Sequence, residues 1–491
     1  MIFRSFRPLP YGYFVKLDEY IRRIMAEGPS RTRIRDSFSL KQRNPDSYTW
    51  AAGSYIDLFI AAAVTQVLFG ISLYWILFVD TTLVTDRLPG GATLDASNLP
   101  MLAIGMLAGV GWMMAIALGI GFDITPLNFK AAPFDESLIS IVAALNIGGQ
   151  ALIMVGIISG DLQLFRNLGL MGVTLLGMQL IILGPLTVKL VRGRAQSKDN
   201  LGPWSYGAGV GLPIIGVMSM MVWLLAESEQ FVELYWTILI DSFWGMLAFG
   251  TILGHFQSRL GWKLMKPERM HMAFKGFIAL CILHICLVYA NQTGYIVDDR
   301  VNATFSLPIL WIFFVSRPDR IWKNFRAGRK CSNQMLSAYC WLLVTALVGL
   351  YEGLYHGEQT GMFYARFMLL LGVSTQALTA AGDWLHDDHK HKPVEERKEP
   401  WFNLIAISLA MVGVVYLFLG STVEGLSLPA IETVTLLTVA MLIVVYLEFL
   451  IWMLRETLFG YTEWHRIPMF YADVDSQEGD DPYEIGATES E

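Results

Sequence analysis

Charged residues are scarce in this sequence. Asp, Glu, Lys and Arg make up 16% of its 491 residues, whereas hydrophobic residues make up 54%. Soluble domains carry about 25% charged residues, so the composition excludes an ordinary soluble protein. Apolar runs of 18–25 residues, the length a helix needs to cross a bilayer, recur along the chain. The short alternating segments of a membrane barrel are missing. The sequence therefore predicts an all-α, polytopic membrane protein.

Cysteine is also rare, and no secretion signal is recognisable. The four cysteines form no CxxC pair and are interpreted as reduced packing residues rather than a disulfide or metal framework: Cys281, Cys286, Cys331 and Cys340. The first 50 residues are polar and basic, without the short apolar core of a signal peptide.

Twelve predicted transmembrane helices account for most of the chain. They cover residues 51–79, 100–121, 137–158, 168–188, 204–226, 231–256, 270–290, 301–316, 333–352, 361–382, 401–420 and 427–454. The eighth has only about 16 residues and contains Pro308, so we expect it to be short, tilted or broken. No loop is long enough to fold as a separate domain, which places any activity within the helical body.

Basic residues predict the orientation of these helices. They cluster in alternate turns, at 189–198, 259–269, 317–330 and 390–398, whereas the opposite loops hold only Arg87, Arg166 and Arg300. Because basic loops stay in the cytoplasm, both termini are predicted to be cytoplasmic. We expect an integral protein of the plasma or inner membrane.

The two terminal segments differ from the membrane domain, 51–455. Residues 1–50 carry ten Lys and Arg residues and an apolar helical periodicity from Phe14 to Met25. This pattern is typical of an amphipathic helix at the membrane surface, although a solvated helix packed on the protein's own loops fits equally well. Residues 456–491 are acidic and are predicted to form a disordered cytoplasmic tail.

Two ionisable residues lie deep inside adjacent predicted helices. Asp241 lies 16 residues before the basic turn Gln257–Arg269 begins, and His284 lies 15 residues after it ends. At about 1.5 Å per residue, an antiparallel hairpin puts both side chains at nearly the same depth. Because charge is costly in hydrocarbon, such groups face the protein interior and pair. We predict that Asp241 and His284 form a working pair in proton coupling.

Other polar residues near the middle of the helices are candidates for a solute or ion pathway. They can equally serve as interhelical hydrogen bonds, and for the amides this structural role is favoured. The candidates are Asn146, Gln150, Gln179, Ser242, Thr375 and Gln376. Glu448 and Asp57 lie nearer the cytoplasmic end and are secondary candidates.

Glycines at four-residue spacing predict close helix packing, because small residues let helix backbones approach each other. A hinge or an unwound binding segment is the alternative. The pairs are Gly105/Gly109, Gly156/Gly160, Gly207/Gly211, Gly250/Gly254 and Gly349/Gly353.

Histidines raise the possibility of haem or metal binding. His271 and His284 lie 13 residues apart on one predicted helix, a separation that suits one axial haem ligand near each membrane face. A second helix with a matching pair is missing, so no cofactor is predicted and haem is kept as an alternative. The sequence around His386, His389 and His391 contains metal-compatible residues, but a solvated helix end explains it better.

The predicted architecture is similar to that of major-facilitator transporters and of the large subunit of haem–copper oxidases. The loop after the second helix, Gly121-Phe-Asp-Ile-Thr-Pro126, departs from the facilitator signature, and the second helix lacks the histidine that an oxidase has. The resemblance is therefore one of architecture alone.

Three functions follow as hypotheses. The first is a transporter or permease, proton-coupled, that moves a small solute or ion. The second is a respiratory or redox membrane subunit, with or without haem. The third is an enzyme acting on lipid-linked substrates at the basic loop Arg317–Lys330, which is more simply an orientation signal with anionic lipid binding as a weaker option. Expected partners are the bilayer and a small solute or ion, with a membrane complex or homo-oligomer left open and no nucleic acid.

Overall fold

The computed structural model describes residues 52–74, 111–128, 136–159, 162–193, 202–226, 229–260, 262, 264–329, 331–355, 362–389, 401–422 and 431–455. Regular structure within these ranges is helical and includes no strand. The predicted amphipathic segment 1–50 and acidic tail 456–491 lie outside the described residues, as does the side chain of Asp57.

The described helices follow the chain in a simple order. The α-helices are α1 (Ala52–Tyr74), α2 (Met113–Asn128), α3 (Glu136–Ile158), α4 (Leu162–Gly193), α5 (Gly202–Ala226), α6 (Glu229–Trp236), α7 (Gly245–Leu253), α8 (Pro267–Gln292), α9 (Ser306–Val315), α10 (Pro318–Arg326), α11 (Asn333–Tyr355), α12 (Phe363–Phe367), α13 (Thr375–His389), α14 (Trp401–Thr422) and α15 (Ile431–Arg455). Three π-helical segments, π1 (Thr237–Trp244), π2 (Gly254–Arg259) and π3 (Met368–Ser374), and a 3₁₀ helix, Asp299–Phe305, complete them.

Every predicted transmembrane segment overlaps a described helix, and five helical stretches are long and apolar enough to cross a membrane. These are Leu138–Ile158, Gln163–Ile182, Phe231–Gln257, Met272–Gln292 and Asn333–Tyr355. The all-helical architecture and these stretches are those of a membrane protein. The number of twelve crossings and the orientation of the termini stay predictions.

The stretch Phe231–Gln257 lies at the centre of the described bundle. Of its most apolar part, 83% is buried inside the protein, against 33–50% for the other four stretches. It runs continuously through α6, π1, α7 and π2. A helix buried on all sides can hold polar side chains away from lipid, which is where Asp241 is found.

Two helices in contact, the central one and the α12–π3–α13 helix, contain π-helical turns. Within π1 the Ser242 hydroxyl donates to the Thr237 carbonyl oxygen (3.0 Å), and the Thr375 hydroxyl donates to the Leu370 carbonyl oxygen (3.0 Å) at the end of π3. Both bonds span five residues and match the π repeat. Single π turns inside α-helices occur frequently at functional sites.

The eighth predicted span is divided into two helices. The 3₁₀ helix Asp299–Phe305 begins where the Asp298 side chain accepts a hydrogen bond from the Arg300 amide (3.0 Å), and α9 follows it. Pro308 lies in the first turn of α9, where its missing N–H costs no intrahelical bond. The 3₁₀ helix packs against α11.

Of the predicted glycine pairs, Gly349 and Gly353 lie at a close helix approach. A Cβ on Gly353 would come within 2.5 Å of the Ala303 Cα and 2.7 Å of the Asn302 carbonyl carbon. A Cβ on Gly349 would meet the Phe305 ring at 2.5 Å. Gly254, by contrast, has no atom within 4 Å of its Cβ position, so packing does not explain that glycine. Residues 105, 109 and 160 lie outside the described ranges.

Helix α10 is short, amphipathic and basic, and follows α9 directly. Its preceding residue Arg317 is left-handed (φ 60°) and donates two hydrogen bonds to Asp319, at 2.9 and 2.7 Å. These bonds lower the pKa of the Asp319 carboxyl to about 2. Trp322 and Phe325 are exposed and stacked, with Arg326 over the Trp322 ring.

Candidate functional site

A buried ionic cluster joins the central helix to α12. Arg366 donates from Nε to Asp241 Oδ1 (3.0 Å) and from Nη2 to Asp241 Oδ2 (2.9 Å), which is a bidentate pair. The same guanidinium donates to both carboxylate oxygens of Glu233, at 2.6 and 3.3 Å. Arg366 and Asp241 are each 1% exposed, whereas the Glu233 side chain is 20% exposed. One arginine therefore holds two carboxylates, and only Glu233 reaches the surface of the protein.

His284 completes the cluster from α8. Its Nε2 lies 3.2 Å from Asp241 Oδ2, and its Nδ1 lies 2.7 Å from the Thr304 hydroxyl oxygen. The ring is 2% exposed and packs edge-on near Phe305. Both imidazole nitrogens thus have partners, and they connect Asp241 to the 3₁₀ helix Asp299–Phe305.

The formal charges of Arg366, Asp241, Glu233 and His284 sum to zero only when the imidazole of His284 carries a second proton. Arg366 contributes one positive charge, and Asp241 and Glu233 contribute one negative charge each. With a neutral His284 the sum is −1, and with an imidazolium it is zero.

Glu352, on α11, holds the beginning of the helix that carries Arg366. Its carboxylate is fully buried and accepts hydrogen bonds from the backbone amides of Tyr364 (3.3 Å) and Ala365 (3.0 Å). These amides belong to the first turn of α12, where N–H groups lack intrahelical partners. A remote carboxylate thus caps the helix and interacts favourably with its dipole.

Replacing Glu352 by glutamine is expected to destabilise the protein by about 1–2 kcal/mol, because the buried helix start loses a charged hydrogen-bond acceptor. Thermal unfolding of the purified protein in detergent measures the loss. Asp298→Asn is the matched control, since that carboxylate caps an exposed turn; we expect a change within about 0.5 kcal/mol. Equal effects of the two substitutions would refute the capping role.

No protein-family model and no curated protein matches this sequence.

Three of the predicted pathway residues form a second, separate polar centre. Asn146 donates from Nδ2 to Gln179 Oε1 (3.2 Å) and to the Gly111 carbonyl oxygen (3.1 Å). Gln150 donates to Asn146 Oδ1 (2.6 Å). All three side chains are buried and link α3 to α4. These hydrogen bonds connect the three amides to one another and to the Gly111 carbonyl oxygen.

The remaining candidates have different hydrogen-bond surroundings. Ser242 and Thr375 bond to backbone carbonyls within their own helices. Gln376 is fully buried, and its amide atoms have no hydrogen-bond partner within the described part of the chain. Glu448 is half-buried, and its Oε2 likewise lacks one there. The structure therefore assigns neither of these two a hydrogen-bonded role.

The histidines considered for haem or metal are differently placed. His271 lies on α8 and His386 and His389 on α13, but their side chains, like the whole of His391, are outside the described residues. Within the described part, no group of three His, Cys, Asp or Glu residues is arranged to hold a metal ion. For His284 to ligate haem, one nitrogen would have to leave Asp241 or Thr304.

Sequence reasoning missed three members of this network. In the predicted helices, Arg366 is the sixth residue of 361–382, Glu233 is the third residue of 231–256, and Glu352 is the last residue of 333–352. The signal that identifies Arg366 is the one applied to Asp241: a charged residue within an apolar run implies a buried partner. The pairing itself spans 125 residues of sequence, which no local pattern reveals.

Proposed function

We propose that this protein is an integral membrane transporter that couples movement of a small solute or ion to movement of a proton. The observation that carries the proposal is the buried cluster of Arg366, Asp241, Glu233 and His284. Asp241 lies within a π-helical segment, and Arg366 lies on a helix that contains another. Asp241 and His284 take the coupling role. Arg366 keeps Asp241 ionised and oriented, and Glu233 is the residue of the cluster that lies nearest to water.

The location of the cluster supports transport over a purely structural role. Buried ion pairs contribute little net stability, because desolvation offsets most of the attraction. Ionisable residues inside membrane helices commonly mark ion pathways and proton relays. A cluster that becomes neutral on gaining one proton fits a site that binds and releases protons.

The central test is Asp241→Asn in reconstituted vesicles loaded with a pH-sensitive dye. Gradients of monocarboxylates, amino acids, sugars and monovalent cations are imposed in turn, and solute-dependent proton flux is recorded. We expect flux with one solute class in the wild type, and a fall to the rate of protein-free vesicles in the variant. Asparagine keeps an acceptor oxygen for Arg366, so folding is retained and is checked by thermal unfolding.

Asp319→Asn is the control, because it removes an exposed carboxylate outside the cluster; its flux is expected to equal that of the wild type. Unchanged flux and pH profile in Asp241→Asn would contradict the coupling role. Absence of proton flux with every solute class in folded wild-type protein would contradict the transport function itself.

The redox subunit remains the second proposal. It would draw its chemistry from haem, for which His271 and His284 are the candidate ligands. The occupied nitrogens of His284 favour the transporter instead. An absorbance spectrum of the purified protein distinguishes the two proposals, because bound haem gives a strong Soret band.

A further inference from the structure

We infer that His284 is the proton-binding site of the cluster, held as an imidazolium, and that the Thr304 hydroxyl reverses its hydrogen bond when this proton leaves. The inference deepens the proposed function: it rests on that function only for the role of the proton as coupling ion. The protonation state itself follows from counting donors and acceptors.

Asp241 acts only as an acceptor. Its Oδ1 accepts from Arg366 Nε, and its Oδ2 accepts from Arg366 Nη2 at 2.9 Å and from Nε at 3.3 Å. A proton on either oxygen would compete with these N–H donors. The carboxylate therefore stays ionised, and the His284 nitrogen 3.2 Å from Oδ2 must carry a hydrogen.

The hydrogen on the second nitrogen follows from Thr304. A threonine hydroxyl has one hydrogen, and that of Thr304 is donated to the Val301 carbonyl oxygen at 2.6 Å. Its oxygen is then an acceptor for His284 Nδ1, 2.7 Å away, so Nδ1 must also carry a hydrogen. With both nitrogens protonated, the ring is an imidazolium.

The groups facing His284 favour this positive charge. Asp241 on π1 contacts the imidazole directly. Glu233 on α6 contacts Arg366 of α12, which in turn binds Asp241. Cys281, one turn earlier on α8, is buried and adds no charge as a thiol. Two carboxylates thus offset one guanidinium and one imidazolium.

Release of the proton changes one hydrogen bond in a defined way. The Nδ1–H bond breaks, its electron pair stays on Nδ1, and the proton leaves to water. Nε2 keeps its hydrogen because Asp241 offers only acceptor oxygens. In the neutral ring Nδ1 then has no hydrogen and can only accept a hydrogen bond. The Thr304 hydroxyl must then turn from Val301 to Nδ1, and the 3₁₀ helix loses that side-chain bond.

The 3₁₀ helix transmits this change because it packs tightly on its neighbour. Ala303, adjacent to Thr304, approaches Gly353 of α11 so closely that no Cβ fits between them. Glu352, the preceding residue, caps α12, which carries Arg366. A closed ring of contacts therefore runs from His284 through the 3₁₀ helix, α11 and α12 back to Asp241.

Nitrogen NMR of isotope-labelled histidine in the full chain, reconstituted in nanodiscs, tests the inference. The protein has eight histidines, and loss of one signal in His284→Gln assigns the ring. At neutral pH we expect one-bond couplings to hydrogen on both His284 nitrogens. Thr304→Ser keeps the hydroxyl and should preserve this signature, whereas Thr304→Val is expected to bind the proton about tenfold more weakly.

A wild-type His284 with one unprotonated nitrogen at neutral pH would overturn the inference, as would identical titration of the serine and valine variants. The outcomes separate from those of the flux assay. If His284 is an imidazolium but no solute-dependent proton flux is found, the proton site is supported and coupled transport is rejected. If flux is found but the His284 imidazole is neutral, coupled transport is supported and the proton site is rejected.

Discussion

Arg366→Met is expected to destabilise the protein by about 3–5 kcal/mol, because it removes the guanidinium that binds both carboxylates and leaves Asp241 buried without its counter-charge. Methionine fills much of the volume of the arginine stem, so the loss reports charge rather than a cavity. Chemical unfolding of the purified protein in detergent, followed by tryptophan fluorescence, measures it.

The double variant Arg366→Met/Asp241→Leu should recover much of this loss, because it removes the buried carboxylate that Arg366→Met leaves without a partner. Glu233, with a 20% exposed side chain, can be hydrated. Arg326→Met on the exposed face of α10 is the control and should change stability by no more than about 0.5 kcal/mol. A loss for Arg366→Met as small as that of the control would show that the cluster is not a tight ionic network.

Gly353→Ala is expected to destabilise the protein by about 1–3 kcal/mol. The added Cβ would meet the backbone of Ala303 and Asn302, which cannot rotate away, so α11 and the 3₁₀ helix must separate. The same separation moves Thr304 relative to His284, and we expect reduced proton flux in the vesicle assay. Thermal unfolding and flux are measured on one preparation.

Gly254→Ala is the matched control, since this glycine has open space at its Cβ position. Alanine has the higher helix propensity, so the substitution should be neutral or stabilise by up to about 1 kcal/mol. If both substitutions had the same effect, the close approach at Gly353 would not constrain the fold.

The pattern of apolar runs was sufficient to predict the helical fold class and five helical stretches apolar enough to cross a membrane. Composition suffices here because a helix satisfies its backbone hydrogen bonds within its own segment. The length of each apolar run, and the polar residues that end it, can therefore be read directly from the sequence. The depth of Asp241 and His284 was derived in the same way, and their side chains lie 3.2 Å apart. Their function stays a prediction.

The predictions of packing glycines show where local patterns stop being informative. Gly250/Gly254 and Gly349/Gly353 have the same spacing, yet a Cβ fits freely at Gly254 and not at Gly353. Spacing identifies which residues share a helix face. It does not indicate whether that face meets a neighbouring backbone, an aromatic side chain or open space.

Residue types and their distances along the chain determined an all-helical architecture with ionisable groups in its interior. Three-dimensional packing alone decided which groups meet: it brought Arg366 to Asp241 across 125 residues and placed Glu352 against the start of α12. Helix formation depends on neighbours in sequence, whereas the pairing of buried charges depends on which helices pack together. That choice follows from the sum of many side-chain contacts rather than from any one motif.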